Sequence, residues 1–354
     1  MKKVLCIVLA LIMVVATVAA CGDGGGSSSN DGPLYISVIS KGFQHQFWQA
    51  VKQGSDKAAA DLGVEIYFDG PEGESAIADQ VNMLNAELAK NPDAIALAAL
   101  DTSAVLSQLA EAYEKGIPII GFDSGVPDAP AGQIAANAST NNEGAAALAA
   151  EHMFPEIKGA VEAATPDNPV VICVLSQDVV SASVGGRTKG FAEKMFSLAS
   201  SANGSVAIEG DFSSINKGDA NPAVIVQVVV GATPDITDMT NAANAVLNTE
   251  SLLGVFMSNE GAVSGLLAAY SAGASIPPGV LLIGFDAGSA QKDAVRQGLF
   301  FGSITQDPVQ IGYQAVALAV KAANGESVSD IDTGAKWYDA SNMDQADIAV
   351  LLYD

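Results

Sequence analysis

The chain has few of the residues on which most catalytic, metal and redox sites depend. It contains only two histidines, His45 and His152, and three cysteines in 354 residues. Neither a CxxC pair nor a second histidine at metal-ligand spacing occurs, so the sequence predicts no metal site and no disulfide framework. The absence of GKS, GKT and GxSxG motifs excludes a P-loop and a hydrolase nucleophile elbow. We therefore expect no catalytic residues and no cofactor.

Basic residues are also scarce. The 16 lysines and arginines stand against 40 aspartates and glutamates, which gives a formal net charge of −24. A protein that binds nucleic acid needs clustered lysine and arginine to neutralise phosphates, so nucleic acid is excluded as a partner. Hydrophobic residues make up 49% of the chain, which is too many for a disordered acidic protein.

The N-terminus is the one strongly apolar segment. Two lysines precede an apolar run from Val4 to Ala20, which ends in small residues before Cys21. This pattern predicts a secretory signal peptide over residues 1–20; the alternative is a permanent transmembrane helix, for which the run is at the short limit. The sequence VAAC resembles the lipobox of bacterial lipoproteins, which implies cleavage before Cys21 and attachment of lipid there. Residues 21–33, rich in glycine and serine, are then a flexible tether at the extracytoplasmic face of the cell membrane.

From Tyr35 onwards, short apolar runs typical of buried strands alternate with helical patterns. The same alternation of strands and helices begins again near Val170. Such alternation predicts an α/β protein of two doubly wound, parallel-sheet lobes joined by a multi-strand hinge. The tail adds two strand-like runs, AKWYDAS and IAVLLYD. The predicted boundaries are residues 34–139 plus 307–335 for the N-terminal lobe and 140–306 plus 336–354 for the C-terminal lobe.

One short motif occurs at the same place in both halves. IGFDSG covers residues 120–125 and IGFDAG covers residues 283–288, each at the end of a strand-like run. Open α/β sheets bind ligands outside the carboxyl ends of their strands, so Asp123 and Asp286 are candidate ligand acceptors. Two alternatives remain: each aspartate caps the helix that follows it, or the two form the carboxylate pair of a hydrolase.

Six segments, in this order, resemble the type 1 periplasmic sugar-binding proteins, the ribose-binding group and its relatives. They are QFW before a helix ending in DLG, then GIPIIGFDS, RTKGF, MSNEGA, LLIGFDAG and ITQDPVQIG. The resemblance covers roughly residues 34–352. It implies a receptor, not an enzyme, whose lobes close on one monosaccharide or sugar-like polyol. Its partners would be an ABC permease and the ATPase subunits of that importer, and the receptor itself would be a monomer anchored through Cys21.

The same resemblance implies the ligand-binding residues. Aromatic side chains before the first helix would pack on the sugar ring, while carboxylates, amides and one guanidinium would bind its hydroxyls. The residues at the matching positions are His45, Phe47, Trp48, Asp123, Ser124, Asn141, Arg187, Asn259, Phe285, Asp286 and Gln306. A buried aromatic pair that only anchors the first helix is the alternative for Phe47 and Trp48.

Two positions depart from the ribose binder. Ser124 stands where that protein has a second arginine, and Ala98 stands where it has an asparagine. Each lost hydrogen bond costs about 1 to 3 kcal/mol, so we expect a sugar or polyol other than ribose. The open alternatives are a receptor for a nucleoside or a furanosyl signal molecule, and a sugar sensor that hands its ligand to a kinase or chemoreceptor.

Overall fold

The computed structural model describes residues 32–353. The predicted signal peptide, the lipidation of Cys21 and most of the tether lie outside the described residues. Two sheets, flanked by helices on both faces, make up the described part of the chain. None of the helices between residues 32 and 353 is both long and apolar enough to cross a membrane.

The first sheet has six strands in the order β13-β5-β4-β3-β1-β2, all of them parallel. Its strands are β1 (Tyr35–Ile39), β2 (Glu65–Asp69), β3 (Ala94–Leu97), β4 (Ile119–Phe122), β5 (Ala136–Ser139) and β13 (Ile331–Asp332). The helices packed with it are α1 (Gln46–Leu62), α2 (Ile77–Lys90), α3 (Leu106–Lys115) and α9 (Pro308–Ala323). This sheet and its helices are called the first lobe.

The second sheet has eight strands in the order β14-β12-β11-β10-β6-β9-β7-β8, in which only the edge strands β14 and β8 are antiparallel to their neighbours. Its strands are β6 (Val170–Ser176), β7 (Val206–Gly210), β8 (Lys217–Gly218), β9 (Val224–Val230), β10 (Leu252–Met257), β11 (Leu281–Phe285), β12 (Gly302–Gln306) and β14 (Ala335–Tyr338). Its helices are α4 (Asn142–Ala163), α5 (Ala182–Ala202), α6 (Ile236–Leu247), α7 (Glu260–Ser271), α8 (Ser289–Arg296) and α10 (Ala346–Ala349). These elements are called the second lobe.

The apolar patterns explain why these elements form and pack. Every residue of β6, VVICVLS, is buried, as expected for a parallel strand covered by helices on both faces. In α1 the buried residues include Phe47, Val51 and Ala58 at helical spacing, although Leu62, expected on the same face, is 42% exposed. The predicted α/β architecture of two doubly wound lobes is confirmed.

The chain passes between the lobes three times within the described residues. It leaves the first sheet after β5, returns from β12 into α9, and leaves again from β13 into β14. These passages correspond to the hinge that the sequence predicts. The exact lobe boundaries, 34–139 plus 307–335 and 140–306 plus 336–354, stay a prediction.

Of the two strands expected in the tail, one differs from the structure. The run IAVLLYD, expected as a strand, contributes to the short helix α10 and to a turn. Its backbone is held by the Thr305 hydroxyl, which donates to Leu351 O at 3.0 Å, and not by a sheet. An apolar run of this length cannot be distinguished from a buried helix by periodicity alone. The other expected strand of the tail, AKWYDAS, forms β14 over its first half, and this prediction is confirmed.

Candidate ligand-binding cleft

The two aspartates of the repeated motif have the same backbone geometry. Asp123 follows β4 with φ 49°, and Asp286 follows β11 with φ 81°. In each case the aspartate N–H donates to the next strand of the sheet, to Ala138 O at 3.0 Å and to Ile304 O at 2.7 Å. Aspartate is one of the few residues that adopt the left-handed region readily. The duplicated sequence is therefore a duplicated turn, which brings one carboxylate from each lobe to the cleft.

Serines on the neighbouring strands fix both turns. The Ser139 hydroxyl donates to Asp123 O at 2.6 Å, and the Ser303 hydroxyl donates to Asp286 O at 3.2 Å. Tyr338 of β14 adds a second donor to Asp286 O at 3.0 Å. Since these bonds satisfy the backbone carbonyls, the two carboxylates are left to interact with groups in the cleft.

Arg187 of α5 lies between the two carboxylates. Its Nη2 is 3.6 Å from Asp123 Oδ1 and its Nη1 is 3.6 Å from Asp286 Oδ2. The guanidinium carbon lies 4.0 Å from the centre of the Phe285 ring, and Nε donates to Asn142 Oδ1 at 2.8 Å. Phe285 thus supports the arginine from behind through a cation–π contact. At 3.6 Å the arginine and the carboxylates attract each other as charges without forming direct hydrogen bonds.

Amide side chains complete this side of the cleft. Gln306 Nε2 donates to Asp286 Oδ1 at 2.7 Å, while the buried Oε1 of the same side chain has no partner. Asn259 is the N-cap of α7, where its Oδ1 accepts from Ala262 N at 3.0 Å. The unpartnered oxygen of Gln306 requires a donor, since a buried acceptor without one costs about 1 to 3 kcal/mol.

A second buried charge pair, which the sequence did not predict as part of the site, lies in the first lobe. Lys41 Nζ is 3.5 Å from Glu74 Oε2, and both side chains are only 3% exposed. Glu74 also accepts from Trp48 Nε1 at 2.8 Å and from Gln177 Nε2 at 2.7 Å. Lys41 could have been predicted from the sequence as a site residue, because it closely follows a buried strand. Glu74 lies in a polar loop, PEGES, that looks like an ordinary surface loop.

Burial and neighbouring charges set the protonation of these groups. Burial alone would raise the pKa of Glu74, but Lys41, His45 and the donors on Trp48 and Gln177 outweigh it and lower the pKa to about 2. For Asp123 the burial effect prevails over Lys41 and Arg187, and the pKa rises to about 6. Glu74 is therefore a fixed anion, whereas Asp123 titrates near neutral pH.

Burial also raises the pKa of two further carboxyl groups near the cleft, Asp178 and Glu260. The pKa of Lys41 is raised: burial lowers it, but Glu74, Asp178 and Asp123 together outweigh that effect. Carboxylates thus outnumber cations around the cleft, and an anionic ligand would meet a repulsive field.

Phe47 and Trp48, called the aromatic wall below, belong partly to the hydrophobic core of the first lobe. Phe47 and Trp48 are 5% and 1% exposed and belong to the apolar cluster of the first lobe, yet both also line the cleft. Their rings stand edge to face at 83°, 4.9 Å apart, and Trp48 meets Phe122 in the same manner. His45 is the N-cap residue of α1, and its buried Nε2, 3.9 Å from Glu74 Oε1, has no hydrogen-bond partner.

The cavity that remains between these groups measures about 20 Å³, room for roughly one water molecule. The cleft is therefore closed, and a molecule as large as a sugar enters only when the lobes separate or side chains turn aside. The lining residues are Lys41, His45, Phe47, Trp48, Glu74, Asp123, Ser183, Val184, Arg187, Asn259, Glu260, Asp286 and Gln306. Eight of the eleven residues predicted from the sequence are among them.

Three residues of the predicted site do not line this cavity. Phe285 lies behind Arg187, as described above. Asn141 is the N-cap of α4, where its Oδ1 accepts from Gly144 N at 3.1 Å. Ser124 is buried, with Oγ 3.4 Å from Ser183 N of the second lobe. Ligand contact stays a prediction for these three, as it does for the eight that line the cavity.

The remaining histidine and cysteine have packing roles. His152 stacks on Trp337 with ring centres 4.0 Å apart, as expected for a helical histidine with no ligand partner. Cys173 is a buried free thiol whose pKa burial raises to about 12. Among residues 32–353 no group of three or more histidine, cysteine or acidic side chains is arranged to hold a metal ion.

Comparison with known proteins identifies the fold family. Residues 36–327 match the model of the periplasmic binding protein domain. The chain belongs to the periplasmic binding protein family. This membership confirms the predicted type 1 periplasmic-binding fold, and members of the family are substrate-binding proteins of ABC transporters, not enzymes.

Solved structures of periplasmic binding proteins agree with this assignment. A protein of Brachyspira murdochii, described as an ABC transporter, LacI family transcriptional regulator, is 44% identical, with a TM-score of 0.76 over 92% of this chain and all of its own. An ABC transporter solute-binding protein of Agrobacterium vitis with bound D-fucose is 27% identical, with a TM-score of 0.74 over 90% of this chain and all of its own. A carbohydrate-transporter solute-binding protein of Agrobacterium radiobacter in complex with D-arabinose, at 24% identity, shows the fold alone, with a TM-score of 0.72 over 90% of this chain and 99% of its own.

Proposed function

We propose that this protein is the substrate-binding lipoprotein of an ABC importer and that it closes on a monosaccharide or sugar-like polyol. The observation that carries the proposal is the convergence of Asp123 and Asp286, one from each lobe, on Arg187. A ligand held by both carboxylates bridges the lobes and therefore stabilises the closed state over the open one.

The donor and acceptor balance of the cleft favours a neutral ligand rich in hydroxyls. Carboxylate oxygens and Gln306 Oε1 need donors, the unpartnered His45 Nε2 can accept or donate one bond, and Lys41 and Arg187 supply donors of their own. A sugar hydroxyl donates one hydrogen bond and accepts others, so vicinal hydroxyls satisfy both kinds of group. The 27% identical protein of Agrobacterium vitis with bound D-fucose supports the same class.

The arrangement of the aromatic rings favours a sugar over a nucleoside. A nucleobase stacks best between parallel faces, but Phe47 and Trp48 are nearly perpendicular. Phe285 is covered by the Arg187 guanidinium. The cleft offers an apolar edge on which the C–H face of a sugar ring packs, and it offers no parallel slot.

Thermal-shift screening of pentoses, hexoses, inositols and nucleosides tests the ligand class. A true ligand at 100 times its dissociation constant adds about 2.7 kcal/mol of stability, which raises the melting temperature by several degrees. Isothermal titration then gives the affinity of each hit. Stabilisation by nucleosides alone would replace the sugar proposal by the nucleoside alternative.

The proposal also includes lipid attachment at Cys21 and delivery to a permease, both inferred from the sequence. Expression with its own leader in a bacterial host, followed by fractionation, should place the protein in the membrane fraction. The Cys21→Ser variant should be recovered in the soluble fraction, because the covalent lipid is then absent. Equal distribution of the two forms contradicts the anchor.

Stimulation of a reconstituted permease and its ATPase by the sugar-loaded receptor distinguishes transport from transfer to a sensor kinase or chemoreceptor.

A further inference from the structure

Helix α1 begins in the first lobe without a cap from its own lobe. Its N-cap residue, His45, makes no side-chain capping bond. The first backbone N–H groups of a helix have no partner within the helix and need one from elsewhere. Here the partner is Glu260 of the second lobe, whose Oε1 accepts from Gln46 N at 3.1 Å and whose Oε2 accepts from Phe47 N at 3.2 Å.

A reciprocal contact runs in the opposite direction. Helix α8 of the second lobe has Gly288 as its N-cap residue, which has no side chain to offer. Gln46 of the first lobe fills that place, since its Oε1 accepts from Ser289 N at 2.7 Å and its Nε2 donates to Ser289 Oγ at 3.0 Å. Each lobe therefore caps one helix of the other.

The geometry points to Gln46 and Glu260 as positioning residues that set how firmly the lobes stay closed. Opening of the cleft breaks both caps at once and exposes the N-termini of α1 and α8. Loss of the caps also affects the predicted sugar site, because Glu260 contacts that site from both of its ends. The backbone N–H of Glu260 donates to Asp286 Oδ2 at 3.0 Å, and the Glu260 carboxylate accepts from Phe47 N. One residue thus joins the carboxylate of one lobe to the aromatic wall of the other.

Gly288 shows how closely the two caps approach each other. A Cβ at this position would lie 3.0 Å from both Gln46 Oε1 and Glu260 Oε1. With φ −63° and ψ 161°, the Gly288 backbone is one that alanine adopts without strain. Gly288→Ala therefore crowds both caps without removing a hydrogen-bonding group, and it offers a disruption independent of the two side-chain truncations.

The inference rests on the proposed closure around a ligand and is tested by dissociation kinetics and hydrogen exchange. With a sugar from the thermal-shift panel, Gln46→Ala and Glu260→Ala should each dissociate it about 5 to 30 times faster than wild type, the factor expected for the loss of a helix cap. Glu260→Gln keeps one acceptor and should fall between. Gly288→Ala should also accelerate dissociation.

Hydrogen exchange supplies a readout that a general loss of stability would not reproduce. Amide protection should fall at Gln46 and Phe47 in Glu260→Ala, and at Ser289 in Gln46→Ala, while other helices keep their protection. Matched controls are Gln49→Ala, an exposed glutamine on the same helix, and Glu143→Gln, a glutamate in the first turn of α4. If the cap variants match these controls in dissociation rate and protection, the assignment is wrong.

Failure of the proposed function gives a different result. If no compound of the panel binds, the sugar proposal fails, but exchange in the ligand-free protein still decides the role of the caps. The caps are expected to favour the closed state with or without ligand, so the same amides should exchange faster in the Glu260→Ala and Gln46→Ala variants than in wild type. Equal exchange in all three proteins overturns the inference.

Discussion

Asp123 and Asp286 lie on either side of one guanidinium, each 3.6 Å from a different terminal nitrogen of Arg187. The two aspartates end equivalent strands of the two lobes and share a left-handed backbone conformation. A single cation therefore balances a carboxylate from each half of a duplicated fold. Ligand hydroxyls that enter between these groups can bind to both halves simultaneously.

The first prediction concerns these carboxylates. Asp286→Asn and Asp123→Asn should each weaken sugar binding by about 10- to 150-fold, since a hydrogen bond to a charged group contributes about 1.5 to 3 kcal/mol. Asparagine tolerates a positive φ, so these variants keep the turn, whereas alanine would add backbone strain. Isothermal titration measures the affinities, and thermal melting checks the fold. An Asn variant of either residue that binds like wild type would remove that residue from the site.

The second prediction concerns the pH dependence of binding. Burial raises the pKa of Asp123 to about 6, against the lowering effect of Lys41 and Arg187. A charged carboxylate accepts sugar hydroxyls best, so below pH 6 binding must release a proton. The association constant should therefore rise with pH, by up to about tenfold per unit, and level off above pH 6.

Comparison with Asp123→Asn isolates this effect. The pKa values of Asp178 and Glu260 are also raised by burial, so these groups contribute to the wild-type curve as well. The part of the pH dependence that belongs to Asp123 should disappear in the variant, measured by titration calorimetry from pH 5 to pH 8. A variant with the wild-type pH profile would assign the titration to another group.

Much of this architecture could be predicted from the sequence, because parallel strands buried on both faces leave a clear apolar pattern. The repeated IGFD motif also predicted the place of Asp123 and Asp286, since the carboxyl ends of strands define the site in open α/β sheets. The sequence did not show that both aspartates have positive φ. It also did not show that VIVQVVV forms β9, which lies between β6 and β7 in the second sheet.

The residues missed at the site are those defined by distant partners. Glu74 is held by Gln177, 103 positions later, and Glu260 is held by Gln46, 214 positions earlier. Nothing in the local sequence distinguishes such a glutamate from a solvated surface charge, because its burial depends on the docking of two lobes. Local sequence patterns predict helices, strands and the ends of strands, whereas contacts between the lobes are seen only in the three-dimensional structure.

A third prediction concerns the stability that the buried Glu74 carboxylate contributes where the two lobes dock. Lys41, His45 and the donors on Trp48 and Gln177 outweigh the effect of burial and lower its pKa from 4.5 to about 2. A lowered folded-state pKa gives stability that is present above pH 4.5 and is lost as the pH falls towards 2. The full contribution is of order 3 kcal/mol.

Urea unfolding of wild type and Glu74→Gln from pH 7 down to pH 3 tests this prediction. The difference in unfolding free energy should be greatest at neutral pH and should shrink steadily below pH 4.5. Asp56→Asn, which alters an exposed carboxylate paired with Lys52, is the matched control and should show little change across the same range. A difference for Glu74→Gln that does not vary with pH would show that the Lys41–Glu74 pair does not set the pKa as described.

The last prediction concerns the packing of α1, the helix that presents Phe47 and Trp48 to the cleft. A Cβ at Gly54 would overlap Val309 O of α9, and a Cβ at Gly312 would overlap Val51 O of α1. The two helices therefore approach through facing glycines, and the aromatic wall depends on that approach. Gly54→Ala should destabilise the protein by about 1 to 3 kcal/mol, because overpacking forces the helices apart.

Gly159 provides the matched control for this substitution. It lies within α4, it is exposed, and no atom lies within 4 Å of a Cβ built there. Gly159→Ala should stabilise the protein by about 0.5 to 1 kcal/mol through helix propensity alone. Since both glycines are inside helices, the difference in unfolding free energy between the two variants measures the crowding of α1 against α9. Similar stability of the two variants would contradict the prediction, because α1 would then tolerate a wider separation from α9.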